Sequence, residues 1–360
     1  MNIRIIKRSD MPKRQEIIIR IAAVLMSIVF AGLILVIFGL NPLKIFATII
    51  KGSLGTEIRI QQTIIRAIPL TITALGIIVA FKMKFWNIGA EGQITMGAFG
   101  ATWVALNLPE TLPMPVMLLL MMIAAMLCGG IWAFIPAMFK AKMGTNETIF
   151  TLMMNYIAIK FVTYLQYGPW MDPNAGGFPK IAKFPANAVL PSVFGINIGW
   201  IIMLLFVVFV HIFMNYTKKG YEIAVVGESV ETARYAGMNI SRIIITAMLI
   251  SGGMCGIVGM IQSSAIEKTL ISNIAGGYGF TAIIPAWLSR LNAVSALIVC
   301  LAFAMLIQGG TYLQVSLGIS SAVSSIVQGT ILFFVLGSEF FLQYKVIFGK
   351  KSVKAETEVA

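Results

Sequence analysis

Residues 86–100 read Trp-Asn-Ile-Gly-Ala-Glu-Gly-Gln-Ile-Thr-Met-Gly-Ala-Phe-Gly and lie between two long apolar stretches. Within them, Asn87, Glu91 and Gln93 interrupt a segment that would otherwise pass into a lipid bilayer. A carboxylate beside hydrocarbon costs several kcal/mol, so such side chains usually face a protein interior or a water-filled path. The glycines around them allow sharp turns and close backbone packing. This stretch therefore predicts a polar turn inside a membrane protein, and with it a route for something polar.

The composition of the chain is that of an integral membrane protein. Hydrophobic residues make up 58% and charged residues 11% of the sequence, and the mean hydropathy is +0.90. Soluble domains carry roughly 25% charged residues. No soluble class of protein fits these values.

Several kinds of chemistry have no residues to support them. The three cysteines lie in apolar segments and are not positioned for a disulfide or a metal site, and His211 is the single histidine. The sequence also lacks a Walker A motif and a Ser/His/Asp set. We therefore predict no catalytic residue, no metal and no ATP hydrolysis by this chain alone.

Apolar segments predict an all-α integral membrane protein with about ten transmembrane helices. The spans are 18–38, 67–82, 91–108, 114–139, 147–167, 198–215, 243–265, 280–290, 293–312 and 320–343. With the N-terminus inside, 19 of the 27 lysines and arginines fall in inside segments and 7 in outside segments. This is the positive-inside bias, and it places both termini in the cytoplasm of a multi-pass cell-membrane protein. The net charge of +13 thus sets topology and does not indicate a nucleic-acid partner.

The chain is predicted to have one domain, embedded in the lipid bilayer, with short polar ends. The parts are a cytoplasmic segment at 1–17, a transmembrane domain at 18–343 and a cytoplasmic tail at 344–360. The longest loops are an outside loop at 168–197 and a cytoplasmic loop at 216–242. Residues 40–66 are too charged to span, and their helical apolar spacing predicts an amphipathic helix along the outer surface.

Two of the spans are short for a full crossing, which needs about 20 residues. Residues 280–290 are also interrupted by Pro285, and residues 67–82 run into the glycine-rich turn. Short or broken helices at corresponding places in two halves suggest an inverted repeat with a transport site between the halves. No internal sequence identity supports this repeat.

The fifth span, at 147–167, is the most polar. At ~100° per residue, Glu147, Thr151 and Asn155 fall on one face of this helix, and Tyr156 and Lys160 fall on nearly the opposite face. A helix that is polar on two sides has no broad face for lipid and is expected to be central. Two interpretations remain open: a helix that lines a path, and a helix whose polar groups only hold the bundle together.

The cytoplasmic loop contains a short helical pattern between Gly227 and Gly237. Glu228 and Glu231 fall in its predicted first turn, where the helix dipole favours acids. Gly237 suits a helix C-terminal cap. A compact helix of this kind is shaped to dock onto another protein, although a solvated connector is equally compatible with the pattern.

Three segments resemble the permease subunits of ABC importers, in the branch with ribose, branched-chain amino acid and nucleoside permeases. Asn87-Ile-Gly-Ala-Glu-Gly-Gln93 is similar to the signature turn of the sugar and nucleoside members, most like the nucleoside members. The segment from Gly227 to Gly237 resembles their coupling helix, and residues 279–292 resemble their third block. Pro285 departs from that block, as do Ser289 and Ala293.

The resemblance implies a subunit that imports nucleosides, with ATP and magnesium used by partner subunits and no cofactor bound by this chain. Implied partners are a second permease (a paralogue or a copy), two cytoplasmic ATP-binding subunits and an extracytoplasmic substrate-binding protein. The residues expected to shape the path are Asn87, Glu91, Gln93, Glu147, Thr151, Asn155, Tyr156 and Lys160. The residues expected to meet the ATPase are Glu228, Glu231, Ala233, Arg234 and Gly237.

Other functions stay open at this point. The same branch transports simple sugars and branched-chain amino acids. An ion-coupled transporter could use Glu91, Glu147 and Lys160 as proton carriers, and a structural subunit would need no path. The predicted topology places the turn at 87–93 on the cytoplasmic side, which favours a gate or a wall of an inward-facing cavity.

Overall fold

The computed structural model describes residues 2–7, 12–320 and 322–349, and these are mostly helical. The helices are α1 (Lys13–Ile37), α2 (Pro42–Leu54), α3 (Glu57–Lys82), α4 (Ala90–Asn107), α5 (Met114–Met143), α6 (Glu147–Tyr167), α7 (Gly199–Tyr216), α8 (Lys218–Glu228), α9 (Val230–Tyr235), α10 (Ile240–Ile261), α11 (Tyr278–Thr281), α12 (Ile283–Leu288), α13 (Ala293–Leu317) and α14 (Ala322–Gln343). The strands in these residues are β1 (Asn2–Lys7), β2 (Ser192–Val193), β3 (Ile196–Asn197) and β4 (Tyr344–Gly349).

The predicted fold class is confirmed, and a helix or a helix pair lies at each of the ten predicted spans. Within the described residues, six helices are long and apolar enough to cross a membrane. They are Glu57–Lys82, Met114–Met143, Glu147–Tyr167, Gly199–Tyr216, Ile240–Glu267 and Ala293–Leu317. A seventh candidate is the pair Leu25–Ile37 and Pro42–Leu54, whose two helices are bent by 115°. The helix expected within residues 40–66 is therefore present.

The length predicted for the second span is wrong. Helix α3 begins at Glu57, ten residues before the predicted start, and is 26 residues long. Hydropathy missed its first turns because they contain Glu57, Arg59 and Arg66. The helix begins there because the side chain of Thr56 accepts a hydrogen bond from the backbone N–H of Arg59, at 3.4 Å. One of the two short spans that suggested an inverted repeat is thus a full-length helix.

The predicted short and broken span at 280–290 is confirmed, but the break falls at Ala282 and not at Pro285, which lies in the first turn of α12. Residues Tyr278–Thr281 and Ile283–Leu288 form two short helices, neither long enough to cross a bilayer alone. Helix α4 is also unusual, because almost all of its 18 residues are buried. Burial explains its composition: this helix contacts protein on all sides, so it can carry Glu91 and Gln93 where a lipid-facing helix could not.

The chain divides into two compact units. The larger unit comprises residues 53–308, and its centre is formed by α3, α4, α5 and α10. Glycines allow these helices to pack closely: Gly97 lies against Gly256, and Gly129 lies against Gly252. Small residues at such contacts let the helix backbones approach each other closely.

The smaller unit comprises residues 1–52 and 309–360. Within it, α1 packs against α14, and β1 pairs with β4 in an antiparallel ladder that sets Asn2 opposite Gly349. The pairing brings the two ends of the described chain together, as expected for termini on one side of a membrane. The remainder of the predicted cytoplasmic tail, 350–360, and residues 8–11 of the predicted N-terminal segment lie outside the described residues.

Candidate translocation site

The chain between α3 and α4 forms a polar turn that is closed by its own side chains. Asn87 is fully buried. Its Oδ1 accepts hydrogen bonds from the backbone N–H of Gly89 (3.1 Å) and from Nε2 of Gln93 (3.0 Å). Its Nδ2 lies 3.2 Å from Oε1 of Gln93 and 3.1 Å from Oγ of Ser251. The amide of Asn87 therefore has all its polar atoms satisfied within the protein.

The position of Ser251 shows how deep this turn lies. Ser251 is eleven residues into α10, which corresponds to about 16 Å along the helix axis. The chain leaves α3 at Lys82 and runs back into the bundle before α4 begins. Asn87 therefore lies in the bundle interior, and the placement of the turn on the cytoplasmic side stays a prediction.

Glu91 connects the start of α4 to the start of α11. Its side chain is in the first turn of α4 and is buried, with 4% of the residue exposed. Its Oε1 accepts from the backbone N–H of Gly277 and its Oε2 from that of Gly279, both at 2.8 Å. Both oxygens act as acceptors, which suits an ionised carboxylate. Glu91 thus supplies the hydrogen-bond acceptors that the N-terminus of α11 would otherwise lack.

Helix α6 closes the turn from the other side. Oγ1 of Thr151 accepts a hydrogen bond from the backbone N–H of Ile88, at 3.2 Å. Oδ1 of Asn155 accepts from the backbone N–H of Gly92 (2.8 Å), and its Nδ2 donates to the carbonyl of Ile88 (2.9 Å). These two α6 side chains therefore provide partners for Ile88, which lies outside any helix, and for an N–H group in the first turn of α4 that has no partner within the helix.

Glu147 is engaged at the start of the same helix. Its Oε2 lies 2.8 Å from Nζ of Lys140 in an ion pair, and the residue is 9% exposed. Asn146 caps the helix by accepting from the backbone N–H groups of Thr148 and Ile149. Six of the eight predicted path residues (Asn87, Glu91, Gln93, Glu147, Thr151 and Asn155) are thus buried and bonded to protein.

The other two predicted path residues are not part of this network. Tyr156 is 58% exposed, and Lys160 is also exposed on the same face of α6. Within the described residues, no carboxylate forms an ion pair with Lys160. The two polar faces predicted for α6 are therefore present. One face is buried in the bundle, and the other is exposed on the surface.

The predicted cytoplasmic helix is present as α9, with one correction. Glu228 is the last residue of α8 and does not belong to the first turn of α9. The reason is Ser229, which is extended (φ −152°, ψ 119°) and caps α9 by accepting from the backbone N–H of Thr232, at 3.1 Å. Gly237 follows the helix with φ +72°, as expected of a C-terminal cap.

The exposed surface of α9 is charged and aromatic. Glu228, Glu231 and Arg234 are exposed, whereas Ala233 is fully buried against the larger unit. Tyr235 is 94% exposed, and the sequence gave no signal for it beyond its place in the helix. This segment therefore presents polar and aromatic groups outward and a small apolar residue inward.

A cavity lies between α9 and the ends of α3, α5 and α6. Its volume is about 420 Å³. It is lined by charged side chains from both sides, namely Lys84, Lys140, Glu147, Glu228 and Glu231. Gly227 lies directly against the backbone of Lys82 and Met83, where a side chain would not fit. The loop at 216–242 is thus packed onto the end of α3 from which the polar turn begins.

The partners of the polar turn were the part that sequence analysis missed. The sequence analysis did not predict four residues that bond to predicted path residues, namely Ser251, Gly277, Gly279 and Lys140. The sequence does mark Gly277 and Gly279, because they lie in the glycine-rich stretch Gly276-Gly-Tyr-Gly279 directly before a broken span.

Together, the fold and the buried polar centre define a multi-pass membrane permease. A family profile described as "Branched-chain amino acid transport system / permease component" matches residues 59–336, and the chain belongs to this family of ABC transporter permeases. It is a transport component.

Among the curated relatives is a glucose ABC transporter permease protein of Haloferax volcanii. It is 32% identical over 339 residues, covering 91% of this chain and 88% of the relative. A guanosine ABC transporter permease protein of Bacillus subtilis is 29% identical over 334 residues, covering 90% and 94%. A second guanosine permease protein of the same bacterium is 26% identical over 257 residues, covering 67% and 78%.

The role of Glu91 as a clamp can be tested by removing its charge. Glu91→Gln keeps the shape of the side chain but leaves one acceptor oxygen, so one of the two hydrogen bonds from Gly277 and Gly279 is lost and the other is weakened. We expect a loss of about 1–3 kcal/mol of folding free energy, seen as a thermal unfolding midpoint lowered by about 2–6 °C. The matched control is Glu110→Gln, which makes the same change at an exposed loop residue. Equal midpoints for Glu91→Gln and the wild type would contradict the clamp.

Proposed function

We propose that this chain is the membrane-spanning permease subunit of an ATP-driven importer that moves nucleosides into the cytoplasm. The observation that carries the proposal is the packing of α9. This short helix turns charged and aromatic groups outward and buries Ala233, while Gly227, near the end of the preceding helix α8, lies against the end of α3. Such a helix can transmit a push or pull from a cytoplasmic partner to the membrane-embedded core.

In this proposal the partner at α9 is one of two ATP-binding subunits. ATP and magnesium are bound there, and this chain binds neither. Glu228, Glu231 and Arg234 offer the polar contacts, and Gly237 ends the docking helix. Closure of the ATP-binding subunits moves α9, and α10 follows because it begins five residues after Tyr235.

The transport path is proposed to run along the exposed face of α6. A lysine that faces lipid at the centre of a span costs about 2.5–3.5 kcal/mol. Lys160 is thirteen residues into a 21-residue helix and therefore lies near the middle of the span. A second permease or a water-filled path would be a less costly environment for its charge than lipid. Tyr156 shares this face. The buried network of Asn87, Glu91, Gln93, Thr151 and Asn155 then forms the rigid wall behind the path.

An ion-coupled mechanism receives less support from the geometry. Glu91 is held by two backbone N–H groups, and Glu147 is paired with Lys140. A proton carrier has to release and rebind its proton during each transport cycle. The carboxylates of Glu91 and Glu147 are instead occupied by hydrogen bonds and an ion pair within the protein.

The proposed substrate rests on the relatives. Two proteins that match this chain are named guanosine permeases, and a third is named a glucose permease. We therefore propose nucleosides as the first candidate substrate and a simple sugar as the second. A branched-chain amino acid is the third candidate, because the description of the family names it. The pair of guanosine permeases in one bacterium also supports a paralogue as the second permease subunit, and an extracytoplasmic binding protein would deliver the substrate.

Reconstitution tests this function. The chain should co-purify with a second permease and ATP-binding subunits encoded by neighbouring genes. In proteoliposomes with the loaded binding protein, guanosine should stimulate ATP hydrolysis and accumulate inside in an ATP-dependent manner. Glucose and leucine are tested in the same assay as the alternative substrates. Uptake that persists without the ATP-binding subunits and collapses with the proton gradient would instead establish an ion-coupled transporter.

The docking role of α9 predicts the effect of a charge reversal. Glu231→Arg should reduce co-purification of the ATP-binding subunits at least several-fold, because a like charge then faces the site that accepts Glu231, while membrane insertion stays unchanged. Glu110→Arg is the matched control at an exposed acid on the predicted outer side. Unchanged assembly of the Glu231→Arg variant would rule out this docking surface.

A further inference from the structure

Four polar side chains from four parts of the larger unit meet in a second cluster, separate from the network around Glu91 and from the docking helix. Nε of Arg66 on α3 donates to Oε1 of Gln308 on α13, at 2.7 Å. The side chain of Tyr278 on α11 lies close to Arg66 and to Gln262, which follows the end of α10. We call these four residues the Arg66 cluster.

The cluster lies at the depth of the hydrocarbon. Arg66 is sixteen residues before the cytoplasmic end of α3 at Lys82, which corresponds to about 24 Å. Gln308 is fifteen residues after the start of α13 at Ala293, or about 22 Å. The hydrocarbon core is about 30 Å thick, so both residues lie in its outer half. Two independent helices thus place the cluster at one level.

The charge in this cluster has no acidic partner in the described part of the chain. The ion pairs found there join Lys140 to Glu147 and Lys219 to Glu222, and Arg66 forms none. Arg66 and Tyr278 are half-buried, so they are not sealed in the core. A guanidinium exposed to lipid at this depth would be costly, and the cluster therefore faces a polar environment.

The backbone at Gln262 also departs from regular helix. Residues Gln262–Glu267 form a π-helical segment directly after α10. Such segments shift the direction of side chains relative to an α-helix and occur often at functional sites. Here the shift occurs at the residue that approaches Tyr278.

We propose that the Arg66 cluster is a contact site for the ring hydroxyls of the transported substrate, in the outer half of the path. This rests on the proposed function, since nucleosides and simple sugars share a ring with neighbouring hydroxyl groups. The guanidinium has free N–H donors for the hydroxyl oxygens, and the amide and phenol oxygens can accept the hydroxyl protons. The cluster therefore recognises the diol, and the base or the remainder of the sugar is left to other contacts.

The test compares a substrate with its deoxygenated analogue. The complete importer is reconstituted in proteoliposomes, and guanosine or 2′,3′-dideoxyguanosine is supplied at a concentration that saturates the binding protein. The initial uptake rates then reflect the membrane step. We expect the wild type to prefer guanosine by about ten-fold, the effect of losing one or two hydrogen bonds to a charged donor. In Arg66→Gln this preference should fall to about two-fold or less.

A second variant separates substrate contact from a purely structural role. Gln308→Glu gives Arg66 a carboxylate partner, which preserves the link between α3 and α13 but occupies the guanidinium. It should therefore lose the preference for guanosine as Arg66→Gln does, while its thermal stability stays at least that of the wild type. Arg59→Gln, on the same helix, is the control that should retain the preference.

The possible results distinguish a failure of the proposed contact site from a failure of the proposed transport function. Equal loss of uptake for both compounds in Arg66→Gln, or a preference retained in Gln308→Glu, would overturn the contact site. A wild type that transports guanosine and its dideoxy analogue equally well would overturn it too. A wild type that carries neither guanosine nor glucose would contradict the proposed function itself.

Discussion

Glu91 places a carboxylate inside a membrane-spanning bundle, and the backbone N–H groups of Gly277 and Gly279 supply its hydrogen bonds. An unpartnered carboxylate in this setting costs several kcal/mol. The start of α11 is therefore held next to the start of α4, although 186 residues separate Glu91 from Gly277. Gly279 is required at this contact because a side chain there would meet the backbone of Glu91. This one interaction joins the broken helix pair α11 and α12 to the buried helix α4.

The sequence was sufficient to predict the features that depend on local composition. Asn87, Glu91 and Gln93 were identified because polar groups in a hydrophobic chain are rare and costly. The two faces of α6 followed from helical periodicity, and the glycine at 237 marked the end of the cytoplasmic helix. These features require only the residues of one segment.

The remaining features depend on contacts between distant segments. Nothing near Glu91 indicates that its partners are backbone groups of Gly277 and Gly279, and nothing near Asn87 indicates Ser251. The start of α3 was misjudged because charged residues near Arg66 lower the hydropathy without breaking the helix. The separation of Glu228 from α9 depended on the extended backbone of Ser229, which the helical pattern around it concealed.

A series of contacts leads from the loop at 216–242 towards the polar core. Gly227 rests against the end of α3, and Lys140 joins α5 to the start of α6 through Glu147. Because the inner face of α6 is bonded to the turn, a movement of that turn has to move α6 as well. The proposed path on the outer face of α6 would change its width in the same step.

The separation of a closed inner face from an open outer face of α6 is the central claim, and thiol labelling tests it directly. Lys160→Cys and Asn155→Cys are made in a chain whose Cys128, Cys255 and Cys300 are replaced by alanine, and each is assembled into the complete importer in proteoliposomes. A charged, membrane-impermeant thiol reagent should modify the cysteine at 160 and leave the cysteine at 155 unmodified. An unmodified cysteine at 160, or equal modification at both positions, would contradict the account.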